Sequence, residues 1–172
     1  MWLRLDNEGL DFQFRIDGYI SNLKADIDYE SCYVRLHIGG FYEMNLDISG
    51  YDLYCDEVEH LSIKLSALLK GELIELEYIE SLDSVYRFKL CPAGTEIATY
   101  SGVDKISDIM LEFILVLWAN GAPTDNEFHL RFKRDDIEVM YTYLQYVQGH
   151  LNKNDKKIKD FISEGHLLPD YL

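Results

Sequence analysis

The longest apolar run in the chain is Ile109–Trp118, within DIMLEFILVLW, and Glu112 is its only charged residue. Read as a strand, it places Ile109, Leu111, Phe113, Leu115 and Leu117 on one face, with Met110, Ile114, Val116 and Trp118 on the other. A strand that is apolar on both faces belongs in the middle of a covered sheet. Other segments alternate and read as half-buried strands. Leu10, Phe12, Phe14 and Ile16 face inward in one, after a short strand at Trp2–Leu5 and a turn at Asn7–Gly9. Phe128, Leu130 and Phe132 face inward in another, Glu127–Lys133.

Two hairpins follow from the same pattern. Ser31–Ile38 and Phe41–Ile48 match their apolar faces when a three-residue loop, Gly39–Phe41, sets Ile38 opposite Tyr42, Leu36 opposite Met44 and Val34 opposite Leu46. A glycine then supplies the left-handed position of a bulge. Leu73–Glu80 and Val85–Cys91 match when Ile74, Leu76 and Tyr78 face Leu90, Phe88 and Tyr86. That register also sets Glu75 against Lys89 and Glu77 against Arg87. A weaker strand, Glu96–Ser101, precedes the central one.

Between the hairpins the period changes to three and four. Val58, Leu61, Leu65 and Leu68 form the stripe of an amphipathic helix that stops at Gly71. Asp56 is the expected N-cap, with Glu59 completing a capping box. Asp56, Glu57 and Glu59 also suit the positive end of the helix dipole. A second helix is expected from Asp135, with Glu138 in its capping box. Its stripe is Ile137, Tyr141, Leu144, Val147 and Leu151, and Gly149 ends it. A short helix carrying Ile158, Phe161 and Ile162 follows Asp155 and ends at Gly165. The fold class is therefore α+β: an extended antiparallel sheet, curved or split, with two main helices and a short C-terminal one. Residues 1–150 are read as one domain and 151–172 as a tail packed on it.

Charge narrows the partners. The net charge is −15, and its distribution is uneven. Residues 1–130 carry 9 Lys/Arg and 24 Asp/Glu, whereas residues 131–172 carry 7 of each. Nucleic acid and anionic membranes are disfavoured, and a basic partner is favoured. The N-terminus has neither the basic nor the apolar region of a signal peptide, and no apolar run approaches the ~18 residues that span a bilayer. A cytoplasmic location is expected. Cys32, Cys55 and Cys91 are far apart in sequence and odd in number, so no disulfide framework or metal site is expected. Cys32 and Cys55 read as small buried hydrophobes.

Little in the chain suggests catalysis or a cofactor. The five histidines lack metal-site spacings, and there is no nucleophile elbow, phosphate-binding loop or dinucleotide fingerprint. Glu112 is read as paired with a neighbouring Arg or Lys or turned to solvent. Tyr29, Tyr33, Tyr51, Tyr54, Tyr143 and Tyr146 fall on loops or on faces outside the predicted core. Aromatic rings beside carboxylates suit a binding surface.

One family combines these features. The strand end Ile16-Asp17-Gly18-Tyr19, the helix entry DLYCDEVEHLSIKLSALLKGE, the strand FILVLWANGAP and the strand-to-helix stretch HLRFKRDDIEVMYTYLQYV resemble the WapI-like family of small bacterial immunity proteins. Those proteins neutralise a cognate polymorphic or contact-dependent toxin. The resemblance spans about residues 10–147. The proline that members often carry before the helix is absent, and this chain adds a tail after residue 150. No catalytic or contact residues carry over.

The resulting expectation is a non-enzymatic immunity protein that occludes a basic toxin domain, possibly a nuclease. Its contact surface is expected on Asp26, Asp28, Tyr29 and Glu30 together with Asp56, Glu57 and Glu59. Two other functions fit the sequence. One is a small-ligand-binding domain or enzyme with a pocket in the curved sheet near Glu112. The other is an adaptor that self-associates through its tyrosines.

Overall fold

The computed structural model describes residues 1–21, 30–40, 45–81, 85–99 and 102–170. In chain order the elements are β1 (Trp2–Asn7), β2 (Leu10–Asp17), β3 (Ser31–Gly40), β4 (Asn45–Tyr54), α1 (Cys55–Lys70), β5 (Glu77–Glu80), β6 (Tyr86–Cys91), β7 (Glu96–Thr99) and β8 (Gly102–Lys105). They continue with β9 (Met110–Ala119), β10 (Ala122–Phe132), α2 (Arg134–Val147), α3 (Lys156–Ser163) and β11 (Leu167–Leu168). The fold is α+β with mostly antiparallel sheets, and the described residues form no closed barrel. Two compact units are formed, one from Met1–Glu59 with Val139–Leu172 and one from His60–Glu138.

The first unit holds a five-stranded sheet of order β11-β1-β2-β3-β4. Its apolar face carries Leu3, Leu5, Phe12, Phe14, Ile16, Cys32, Val34, Leu36 and Ile38, all buried. The alternation seen in sequence fixes which face turns inward. The β3–β4 register differs from the expected one: Ile38 pairs with Leu46 and Leu36 with Ile48. The shift is four residues, an even number, so the same side chains stay on the core face.

Its cause lies on the other side of β3. Gly39 and Gly40 are strand residues paired with Asp11 and Leu10 of β2, so the strand runs past the point where the expected turn began. The connection itself lies outside the described residues.

The chain's end joins the same sheet. β11 pairs with β1 through Trp2↔Leu168 and Leu3↔Leu167. Arg4 N–H also donates to the His166 carbonyl at 2.7 Å. Ile158 of α3 is fully buried, while Lys153, Lys156, Lys157 and Lys159 are exposed. α2 starts one residue before the expected site, with the Lys133 N–H donating to Asp136 at 3.1 Å. Tyr143, rather than Tyr141, is its fully buried tyrosine.

The second unit holds a four-stranded sheet of order β10-β9-β6-β5 and a separate β7–β8 hairpin. β9 lies between β6 and β10, and Leu111–Val116 are all buried on both of its faces. Leu117 and Trp118 lie beyond that stretch and are 37% and 44% exposed. Asn120 and Gly121 form a two-residue turn with φ of 55° and 77°, between Ala119 and Ala122. Both residues are left-handed there, as a type I′ hairpin requires.

The β5–β6 register is also corrected. Tyr78 pairs with Lys89 and Ile79 with Phe88, an odd shift of three that reverses the faces. Ile79 is buried, whereas Ile74 and Tyr78 are 85% and 54% exposed. The expected charge pairs are not what holds it. Arg87 pairs with Glu80 and Glu127, Lys89 with Glu112, and Glu77 with Lys64. Among the described residues no helix is long and apolar enough to cross a membrane.

Candidate functional site

The expected contact surface has a loop part and a helix part. Asp26, Asp28 and Tyr29 lie outside the described residues. Glu30 immediately precedes β3, and its carbonyl accepts the Cys55 N–H at 3.0 Å. That bond satisfies one of the backbone donors left open at the start of α1. The end of the acidic loop and the start of the helix are thus joined by the backbone. Glu30, Asp56, Glu57 and Glu59 are gathered around one helix entrance.

The four carboxylates have different environments. α1 begins at Cys55, directly after β4, so Tyr54 is the N-cap, not Asp56. Glu57, the third helical residue, accepts the Tyr54 N–H at 2.8 Å. This is the backward-reaching half of a capping box, two residues earlier than the expected Asp56–Glu59 pair. Glu59 instead accepts the Tyr19 hydroxyl at 2.7 Å. Burial, and then that bond to Glu59, push the Tyr19 pKa up, so its hydroxyl remains the donor. Asp56 is exposed. One Glu30 carboxylate oxygen is buried without a hydrogen-bond partner among the described residues.

Beneath the entrance are two thiols. Cys32 of β3 and Cys55 of α1 are both buried, and their sulfurs are 3.4 Å apart. The Ile20 N–H donates to the Cys55 sulfur at 3.4 Å. Burial, and then the contact with Cys55, raise the Cys32 pKa, which keeps that thiol protonated. A protonated, buried thiol is a poor nucleophile. No cluster of three or more His, Cys, Asp or Glu side chains suited to a metal occurs among the described residues. The entrance presents negative charge and hydrogen-bond acceptors. Residues 1–59 carry 4 Lys/Arg against 13 Asp/Glu, a net charge of −9.

No family model, curated protein or solved structure matches this chain.

The tyrosine expectation separates into parts. Tyr33, Tyr54 and Tyr146 are half-buried. Tyr29 and the side chain of Tyr51 lie outside the described residues. Tyr143 is not a surface residue: it is fully buried, and its hydroxyl accepts the Ile16 N–H at 2.8 Å. The observed β1–β2 pairing ends at Leu3↔Phe14, so Ile16 lies beyond strand cover on that side. A tyrosine can be buried there because its hydroxyl satisfies this N–H.

Glu112 is 4% exposed and sits between two cations, with an imidazole beside them. Lys89 and Arg131 each approach it to 3.1 Å and His129 to 3.4 Å. The cross-strand rows place these groups: Arg131↔Glu112 and Lys89↔Glu112 are direct neighbours. Burial alone would raise the Glu112 pKa, but the hydrogen bonds and charges of Arg131 and Lys89 outweigh it and hold the group below the ordinary glutamate range. This answers the question left by the sequence: the carboxylate is inside and paired.

Sequence reasoning missed a second cluster, on the polar face of the first sheet. Arg15 and Arg35 are directly opposed across β2 and β3. Asp17 lies between them, 2.7 Å from Arg15 and 3.8 Å from Arg35. Asp170 pairs with Arg15 and, at 2.8 Å, with the N-terminal amine. The Arg15 guanidinium stacks over Trp2 at 5.8 Å and that of Arg35 over Tyr33 at 5.5 Å. Together with Gly18 and Ser31, several of these residues line an open concavity of about 480 Å³. Alternation places Arg15, Asp17, Tyr33 and Arg35 on outward faces, but only the register shows two arginines meeting.

Proposed function

We propose that this chain is an immunity protein, and that it neutralises a basic toxin domain by covering that domain's working surface. It acts by binding and catalyses no reaction, and its place of action is the cytoplasm. The observation that carries this reading is the acidic entrance of α1, where Asp56 is exposed beside Glu30, Glu57 and Glu59. Glu57 is committed to the helix start and Glu59 to the Tyr19 hydroxyl, so both are held and add charge at a defined place. Asp56 is the carboxylate most open to a partner's Lys or Arg. The resemblance of residues 10–147 to WapI-like immunity proteins supports the same reading. Opposed charge across an interface speeds encounter and sets orientation.

The test is whether a neighbouring gene encodes a toxin-type protein and whether this chain binds that protein's C-terminal domain, with neutralisation as a second readout. Affinity should fall as salt rises from ~50 to ~500 mM, because exposed charges are screened over that range. Asp56→Lys should weaken association by about tenfold, with the loss mainly in the on-rate. Wild-type affinity for that variant at low salt, or failure of the wild-type chain to neutralise, would sink the proposal.

A further inference from the structure

We infer that Cys32 and Cys55 form a reversible redox site, in which oxidation joins β3 to the first residue of α1 through an intramolecular disulfide. The inference stands on geometry. Their sulfurs are already 3.4 Å apart, and a disulfide brings sulfurs to about 2.05 Å. The sulfurs have to close a gap of little over an ångström.

Both positions are also held in place. The Cys55 N–H donates to the Glu30 carbonyl at 3.0 Å, and the neighbouring pairs Ser31↔Tyr54 and Cys32↔Leu53 bring β3 alongside the strand that leads into α1. The third cysteine, Cys91, is free and buried in the second unit.

The chemistry balances with a peroxide as oxidant. The small ionised fraction of one thiol attacks a peroxide oxygen; the O–O bond breaks, giving a sulfenic acid and hydroxide, and the hydroxide takes up the proton that the thiol released, giving water. The second sulfur then attacks the sulfenic sulfur; the S–O bond breaks, the S–S bond forms, and oxygen leaves as water. Two thiols are oxidised and one peroxide is reduced to two waters. Burial of both sulfurs slows the first step, whereas their 3.4 Å contact speeds the second. Slow entry and fast closure favour the disulfide over sulfinic acid, because the resolving thiol is already in contact. The product would pin the start of α1, directly beneath the acidic entrance. The inference is independent of any partner.

The experiment uses the full chain, folded, treated with hydrogen peroxide and then alkylated under denaturing conditions. Peptide mapping should find a Cys32–Cys55 link, an intact mass lower by two hydrogens, and recovery of both free thiols on treatment with dithiothreitol. Cys91→Ser should leave this link unchanged, and Cys55→Ser should abolish it. The oxidised chain should melt about 5 °C higher, since the cross-link closes a loop in the unfolded chain. Free thiols at both positions after exhaustive treatment of the folded chain would overturn the inference. So would links that involve Cys91 or join two chains, sulfinic acid without a Cys32–Cys55 link, or a lower melting temperature on oxidation.

Discussion

Glu112 and Tyr143 show how a polar group can occupy the interior. Each is held by the partner its burial demands: cations for the carboxylate, a backbone N–H for the hydroxyl. For Glu112 this has a sign. A carboxylate whose pKa is depressed in the folded state stabilises the fold at pH above its unfolded value, about 4.3. That contribution is lost as pH falls through the lower folded-state value. Glu112→Gln should therefore cost about 1–3 kcal/mol at pH 7, by leaving Lys89 and Arg131 without their shared anion. It should also flatten the acid limb of the stability curve below about pH 4.5. Urea titrations of both chains across that range check this, and parallel acid limbs would contradict it. The sequence marked Glu112 as unusual because one charge interrupts an apolar run. It could not mark Tyr143, whose burial depends on where β1 stops covering β2.

At the scale of elements, alternation and helical period located most strands and all three helices, while registers were set by neighbours. The β3–β4 register was misread because Gly39-Gly40 looks like a turn, yet both glycines are strand residues. At Gly40 the close approach includes backbone. A Cβ would stand 2.7 Å from Leu10 Cδ2 and 3.0 Å from the Gly9 carbonyl oxygen. At Gly39 the tightest neighbour, at 2.9 Å, is the end of the His37 ring, which can rotate away. Gly40→Ala should therefore destabilise by roughly 1–3 kcal/mol and Gly39→Ala by clearly less. Comparison of urea midpoints decides it, and equal costs would contradict the assignment. The helix starts show a related limit. Both main helices use an acid at the third helical position to accept the N–H just before the helix. Capping patterns in the sequence pointed to a nearby acid but not to the right one, because where the preceding strand ends decides the first helical residue.

At the scale of the molecule, the first unit is closed by the two ends of the chain. β11 covers the edge of β1, Leu167 is fully buried, and Asp170 holds both the N-terminal amine and Arg15. Deleting residues 166–172 should cost about 3 kcal/mol, from one buried leucine and the lost edge bonds. An unfolding curve identical to that of the full chain would show that this edge needs no cover. The fold class, the outward and inward faces of most strands, the buried middle strand and the acidic bias were legible in the sequence, because side-chain alternation, helical period and charge are local or additive properties. Other features were decided only in three dimensions. Among them are the registers of both hairpins, the meeting of Arg15 with Arg35, the pairing of Glu112, the contact of Cys32 with Cys55 and the gathering of Glu30 with Glu57 and Glu59. Each depends on which distant segment lies alongside. That choice is made by packing and backbone hydrogen bonding summed over a whole sheet, and not by any pattern within one stretch of chain.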